Sequence, residues 1–368
     1  MSNFEGSPYR LTRKSLIDLS LGAIAAISLR GGAALAQGAG APAGASAAMA
    51  DALKTGIPPD DGLAHPIPYT PALGIGQDRA LVLGGGAFYL TAFYAGYFSA
   101  LAANGVDLKL ADVMVGTSAG TLGCYAILTD QVARMRAGIE VIGNFPATLD
   151  YSVGATFSSR RADDVGISLD SASVANIQQL GRAAMAAQTP PVAQWQALLM
   201  RLTGAGRAWP SPKFHTTAID CYTAQRLVVG PQNDVPALVA MSASSSWPGL
   251  AGPTWVKDRL CMDGGACQTS THSDVVAGAR RVLIVSLATG DAKVDAEEGL
   301  RLSKFNNTLL QEVKDLEQGG SKVMLIVAGV PPGYKKVNLV DPALIPVAVK
   351  YGADRGNADA AKIKAFWA

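Results

Sequence analysis

The sequence predicts an α/β fold, a mainly parallel central sheet sandwiched by helices. From residue 79 to 143, short apolar runs alternate with longer helix-like segments in the order β-α-β-α. Such alternation calls for parallel neighbours joined by crossover helices. Further along, Val282-Leu283-Ile284-Val285 is apolar at every position, the pattern of a strand covered on both faces. With 40 glycines and 16% charged residues in 368, the composition suits a globular chain long enough for a large core.

The chain opens with Arg13 and Lys14 before the apolar stretch Leu16 to Leu29, followed by Ala34-Leu35-Ala36. This is the pattern of an export signal over residues 1–36, implying a periplasmic or secreted protein. Thr12-Arg13-Lys14-Ser15-Leu16 resembles a twin-arginine signal with lysine in second place. An ordinary N-terminal helix is the alternative, and the run is too short and interrupted for a membrane span. Residues 37–76, rich in Gly, Ala and Pro, read as a linker.

The folded unit then begins with the strand Arg79 to Leu83, which enters Gly84-Gly85-Gly86. Ala92 to Ala103 has Phe93, Tyr97, Phe98 and Leu101 at helical spacing and ends near Asn104-Gly105. Val113 to Val115 is a second strand, and residues 121–143 look helical. Residues 148–212 read as an insertion, with helical stretches Val174 to Ala187 and Ala193 to Leu202 broken by Pro190-Pro191 and Pro210. They would either cap a cleft or simply pack. Strand signals return at Thr216 to Ile219, Arg226 to Val229, Val282 to Leu287 and Lys322 to Val327. Glu297 to Glu317 reads as one long amphipathic helix between the last two.

Gly116-Thr117-Ser118-Ala119-Gly120 places a serine on a sharp turn between strand and helix. A hydroxyl needs such presentation, and a base to take its proton, before it becomes a nucleophile. Asp263-Gly264-Gly265 offers the carboxylate. A carboxylate at its ordinary pKa is a weak base, so the fold must hold Asp263 against Ser118 and limit its solvation. Gly264 and Gly265 permit the tight turn that aims it. The alternative for Asp263 is an ordinary turn aspartate.

These residues carry a resemblance. Leu81-Val82-Leu83-Gly84-Gly85-Gly86, then Gly116 to Gly120, then Ala243-Ser244-Ser245-Ser246-Trp247-Pro248, then Met262-Asp263-Gly264-Gly265 stand in the order of the patatin-like phospholipases. Thr217-Ala218-Ile219-Asp220 and Val285-Ser286-Leu287-Ala288-Thr289-Gly290 resemble that family's mid-domain and following strands. The resemblance spans about residues 79 to 290. It implies a patatin-like catalytic domain over 77–290 carrying the 148–212 insertion, with 291–368 as a helix-strand extension packed on it. It also implies a lipid acyl hydrolase using a Ser118–Asp263 dyad without histidine, with an oxyanion hole from Gly84, Gly85 and Gly86. Lipid or ester would be the substrate, with peripheral membrane contact an option and no cofactor required. Two departures stand out. The family places Arg or Lys and then Gly after its glycines, whereas here Ala87-Phe88-Tyr89-Leu90 follow and the next basic residue is Lys109. Phe88, Tyr89, Phe93 and Tyr94 suggest an apolar wall or core packing instead. After Asp263-Gly264-Gly265 an Asn-Pro-type continuation is replaced by Ala266 to Thr271 and His272, which opens a Ser-Asp-His triad as a minor reading.

Other functions fit less well. The formal charge is +2, and without Arg10, Arg13, Lys14, Arg30, Glu5 and Asp18 the rest is neutral, so no basic stripe supports nucleic-acid binding. A dinucleotide fingerprint needs glycine where Tyr89 stands, so no nucleotide is expected. His65, His215 and His272 are scattered and Cys124, Cys221, Cys261 and Cys267 lack metal-site spacing, so no metal is expected. His215 reads as a structural or surface histidine. The cysteines read as buried small hydrophobes, with a Cys261–Cys267 bridge as an alternative. A catalytically weak or silent lipid-binding patatin-like protein is the main functional rival.

Overall fold

A computed structural model describes residues 72–149, 153–301 and 307–368. The expected export signal and the linker up to residue 71 lie outside the described residues. The end of that linker, 72–76, belongs to the folded body: Leu73 is buried and its N–H donates to the Val275 carbonyl at 2.8 Å.

In chain order, β1 is Arg79–Leu83, α1 Ala87–Ala103, β2 Val113–Gly116, α2 Ala119–Leu128 and α3 Val132–Asn144. The insertion holds α4 Phe157–Ser168, α5 Val174–Ala186 and α6 Val192–Thr203. Then come β3 Phe214–Asp220, β4 Arg226–Val229, α7 Ala237–Ser244, β5 Thr254–Val256, β6 Arg259–Asp263 and β7 Arg281–Ser286. The chain closes with α8 Ala292–Glu297, α9 Leu309–Gln318, β8 Lys322–Val327 and α10 Ile345–Trp367.

The eight strands form one sheet in the order β5-β6-β3-β2-β1-β7-β8, with β4 also on β3. Pairs β1–β2, β1–β7, β2–β3 and β7–β8 are parallel, while β4, β5 and β6 join antiparallel. Because successive side chains point to opposite faces, Leu81 and Leu83 enter one core with Met114, Leu283 and Val285. Ala80 and Val82 enter the opposite core with Val113, Val115, Val282 and Ile284. The first core is covered by α1, α2, α3 and α10, the second by α9 and the segment around Val275. This is the predicted helix–sheet–helix sandwich.

Helix α1 starts at Ala87, five residues before the apolar spacing suggested, and is buried on almost every side. Its outer face is covered by α10: the Tyr97 hydroxyl donates to Asp359 at 3.0 Å. The stretch expected to be helical over 121–143 is two helices, separated at Asp130, whose φ is +57°. The single helix expected from Glu297 to Glu317 does not form. Helix α8 stops at Glu297, Gly299 turns left-handed at φ +70°, and α9 begins only at Leu309. A left-handed residue cannot continue a right-handed helix.

Candidate active site

The parallel register pairs Leu83 with Gly116, so the triple glycine and the serine turn leave the sheet side by side. The Thr117 N–H donates to the Leu83 carbonyl at 3.0 Å. Ser118 sits at φ +52°, ψ −118°, a conformation costing a non-glycine residue roughly 1–3 kcal/mol. The turn can hold it because Gly120 lets α2 descend onto β1: a Cβ there would collide with the Leu83 carbonyl. Gly116 packs against the Gly120 carbonyl for the same reason. The Ser118 N–H donates to Ser244 Oγ at 3.0 Å, and the Thr117 and Thr217 hydroxyls bond at 2.7 Å beneath the turn.

Asp263 ends β6, opposite Ala218 of β3. Its main-chain N–H donates to the Ser246 carbonyl at 3.0 Å, and the Gly264 N–H to the Ser244 carbonyl at 3.3 Å. The Ala243–Pro248 segment therefore holds the main chain at both Ser118 and Asp263, a bridging role its sequence did not reveal. Asp263 Oδ2 accepts from Ser118 Oγ at 2.7 Å, and Oδ1 from the Gly265 N–H at 2.7 Å. Burial pushes this carboxyl up to about 7, against the downward pull of those two hydrogen bonds. A carboxylate that is buried and hydrogen-bonded to a hydroxyl and an amide keeps basicity that solvent or a cation would remove.

The three glycines do not act alike. The Gly84 N–H donates to the Val285 carbonyl at 2.9 Å and the Gly85 N–H to the Ser270 carbonyl at 2.9 Å. The β1–β7 ladder runs one residue past β1, and the loop after Asp263 folds back onto Gly85. Gly84 and Gly85 are thus corrected as free oxyanion donors. Among the described residues no acceptor bonds the N–H of Gly86 or Ala119, and both line the cavity at Ser118.

That cavity opens over Ser118 and Asp263 and is walled by Phe88, Leu122, Trp195, Leu199 and Trp247. Ala87 and Phe88 line it, within the stretch where the family resemblance implies a basic residue. Tyr89, Phe93 and Tyr94 turn into the core. The cavity's cation comes from elsewhere: Arg301 lines it, donating to the carbonyls of Cys267 at 3.1 Å and Gln268 at 3.3 Å. Nothing in the local sequence around Arg301 marked it.

His272 is buried, and its Nε2 lies 2.8 Å from the Gly264 carbonyl while Nδ1 faces Arg226 at 3.3 Å. Only the tautomer protonated at Nε2 satisfies both contacts. Burial, with Arg226 adding to it, lowers its pKa to about 4. The ring thus braces the turn behind Asp263 and makes no hydrogen bond to the carboxylate, so the triad geometry is absent. His215 is buried too, with burial lowering its pKa to about 4, so it is not a surface residue. All four cysteines are buried free thiols, which removes the Cys261–Cys267 bridge. Among the described residues no cluster of His, Cys, Asp or Glu is placed to hold a metal. No described helix is long and apolar enough to cross a membrane.

In comparisons with known proteins, no curated protein matches this chain. Among the solved structures that show likeness, two have 13% identity. VipD from Legionella pneumophila has a TM-score of 0.36, over 79% of this chain and 67% of that one. The type III effector protein ExoU has a TM-score of 0.33, over 80% of this chain and 54% of that one. The family model for patatin-like phospholipase matches residues 81–274, a span that starts in β1 and runs past both Ser118 and Asp263. With more than half its length matched, the chain belongs to the patatin-like phospholipase family.

Proposed function

We propose that the protein is a serine hydrolase that cleaves carboxylic esters of lipids, of phospholipase A or general lipid-esterase type, through a Ser118 acyl-enzyme. The observation that carries this reading is the 2.7 Å hydrogen bond from Ser118 Oγ to a buried Asp263 in a cavity with apolar walls. Asp263 takes the hydroxyl proton as Oγ attacks the ester carbonyl. The tetrahedral oxyanion turns toward the N–H groups of Gly86 and Ala119, at the N-termini of α1 and α2. Collapse expels the alcohol, which takes the proton from Asp263. A water then repeats the sequence in reverse and releases the acid. Removing one oxyanion donor of this kind costs about 10²–10³ in turnover.

A second reading, a weak or silent lipid-binding protein, draws support from Ala87 and Phe88 in the stretch where a basic residue is expected and from the Gly85 amide being occupied. One experiment separates the two. A fluorophosphonate probe should label the wild type and leave Ser118→Ala unlabelled, and the wild type should hydrolyse p-nitrophenyl acyl esters. Equal labelling of both proteins would sink the nucleophile assignment. A folded wild type with no turnover at any chain length would favour the silent protein. Export from the cytoplasm, via residues 1–36, belongs to the same proposal and is tested by N-terminal sequencing of the mature protein.

A further inference from the structure

The insertion and the catalytic sheet are joined by two crossed hydrogen bonds. Trp195, on α6 of the insertion, donates its indole N–H to Ser245 Oγ at 3.2 Å, just after α7 of the catalytic domain. Trp247, from the catalytic domain, donates its indole N–H to Asp163 Oδ1 at 2.8 Å, on α4 of the insertion. Both indoles are buried, and both line the cavity that opens over Ser118.

Both clasps are buttressed. Ser245 Oγ itself donates to the Met241 carbonyl at 2.8 Å, and the Trp247 ring lies over Gly166 of α4, where an added Cβ would sit 3.2 Å from it. Trp195, Leu199 and Leu202 follow at i, i+4 and i+7, so one face of α6 forms the wall. Only Asp263 and Arg301 are charged among the described lining residues. Continuity with Ser118 names the occupant, an apolar chain attached to the carbonyl that Ser118 attacks. The identity of that occupant rests on the hydrolase reading above.

We propose that the insertion is a chain-length gauge: the clasped indoles close the acyl pocket, and Trp195 sets the longest acyl chain the enzyme accepts. A free indole could swing aside for a longer chain. One held by its N–H and buried against its neighbours cannot do so freely, because close-packed interiors give way only at a cost. Each methylene that finds apolar wall should raise kcat/KM about fourfold, and the first that meets the indole should reverse the trend.

The test is the acyl-length profile of kcat/KM on p-nitrophenyl esters from acetyl to palmitoyl. The wild type should rise to an optimum and fall beyond it. Trp195→Ala should move the optimum to longer chains and raise kcat/KM beyond the wild-type cutoff roughly fifteenfold, the equivalent of two recovered methylenes. Leu199→Ala, on the same face, covers the case in which Trp195→Ala does not fold. Trp195→Phe keeps most of the bulk without the clasp and should blur the cutoff with little displacement. An unmoved optimum in folded Trp195→Ala and Leu199→Ala, or a uniform loss at all lengths, overturns the gauge. A binding arm separates this from failure of the hydrolase reading. Uncleavable p-nitrophenyl alkyl ethers are titrated into Ser118→Ala with and without Trp195→Ala. A Kd minimum that shifts to longer chains supports the gauge even if the wild type turns over no ester. No binding, or an unshifted minimum, overturns it.

Discussion

Asp263→Asn tests the heart of the site because it should destroy activity and stabilise the fold at once. The asparagine carbonyl can accept the Gly265 N–H and its amide can donate to Ser118 Oγ, so both groups that now bond the carboxylate stay satisfied. Only the capacity to accept a proton is lost, which should lower kcat about 10²–10⁴-fold. The stability effect follows from burial. A rise from the ordinary 3.8 to about 7, at about 1.36 kcal/mol per pKa unit, means that ionised Asp263 costs the native state on the order of 4 kcal/mol.

The sign is fixed by proton binding. Between about 3.8 and about 7 the native state holds a proton that the unfolded state has lost, so wild-type stability falls as pH rises through that window and levels off above it. Asparagine does not titrate. Urea unfolding should therefore show Asp263→Asn gaining on the wild type by about 2–3 kcal/mol between pH 5 and pH 8. Over the same range wild-type kcat/KM should rise through a single ionisation near 7. A stability difference that does not change with pH, or an Asp263→Asn enzyme that still turns over, would refute a buried carboxylate base.

Two further substitutions probe what surrounds the pair. His272→Ala should lower activity only about fivefold, for the donor lost from the Gly264 carbonyl, and His272→Gln should recover part of the loss. A loss as deep as that of Asp263→Asn would revive the triad. Asp220 is buried, accepts from Arg259 at 3.1 Å and from the Tyr222 and Thr223 N–H groups at 2.8 Å each. Asp220→Ala should therefore cost about 3 kcal/mol in urea unfolding, and a change under about 0.5 kcal/mol would show that the pair holds nothing together.

The sheet could be read from the sequence where burial was uniform. Strands β1 and β7 are apolar, almost fully buried runs in a parallel arrangement, and β8, half-buried at the edge, keeps the same apolar pattern with no charge in its middle. The β5–β6 hairpin escaped because Trp255 is exposed while Arg259 is buried against Asp220, which inverts the usual pattern of apolar inside and charged outside. Helix α4 escaped for a related reason: Arg160, Arg161 and Asp164 are exposed, the charged Asp163 turns inward to Trp247, and only Ser159, Ala162 and Gly166 are fully covered. At the site, Ser118 and Asp263 were marked by short turns that only particular residues can build. Of the proposed oxyanion donors the sequence marked Gly86 but not Ala119, and it did not show Gly84 and Gly85 to be occupied, because an amide is free or occupied according to its partner. Val285 and Ser270 lie far along the chain from Gly84 and Gly85, and no local pattern announces them.

The absent basic residue and the raised Asp263 pKa belong to one electrostatic choice. A cation just after the triple glycine would steady the oxyanion, but it would also favour ionised Asp263 and pull its pKa down, weakening the base. With Phe88 there instead, the carboxylate keeps a pKa of about 7, close to neutral pH, where proton transfer from a hydroxyl is least uphill for a base that is still largely ionised. In the proposed reaction one negative charge moves from Asp263 to the oxyanion and back, so the net charge of the pocket never changes. Fixed dipoles can support a charge that only changes place, and the first turns of α1 and α2 both end at this cavity. Arg301, held by the Cys267 and Gln268 carbonyls, adds a cation at the cavity wall. The site thereby favours a stronger base over a stronger oxyanion clamp, which suits an uncharged ester held mainly by its acyl chain.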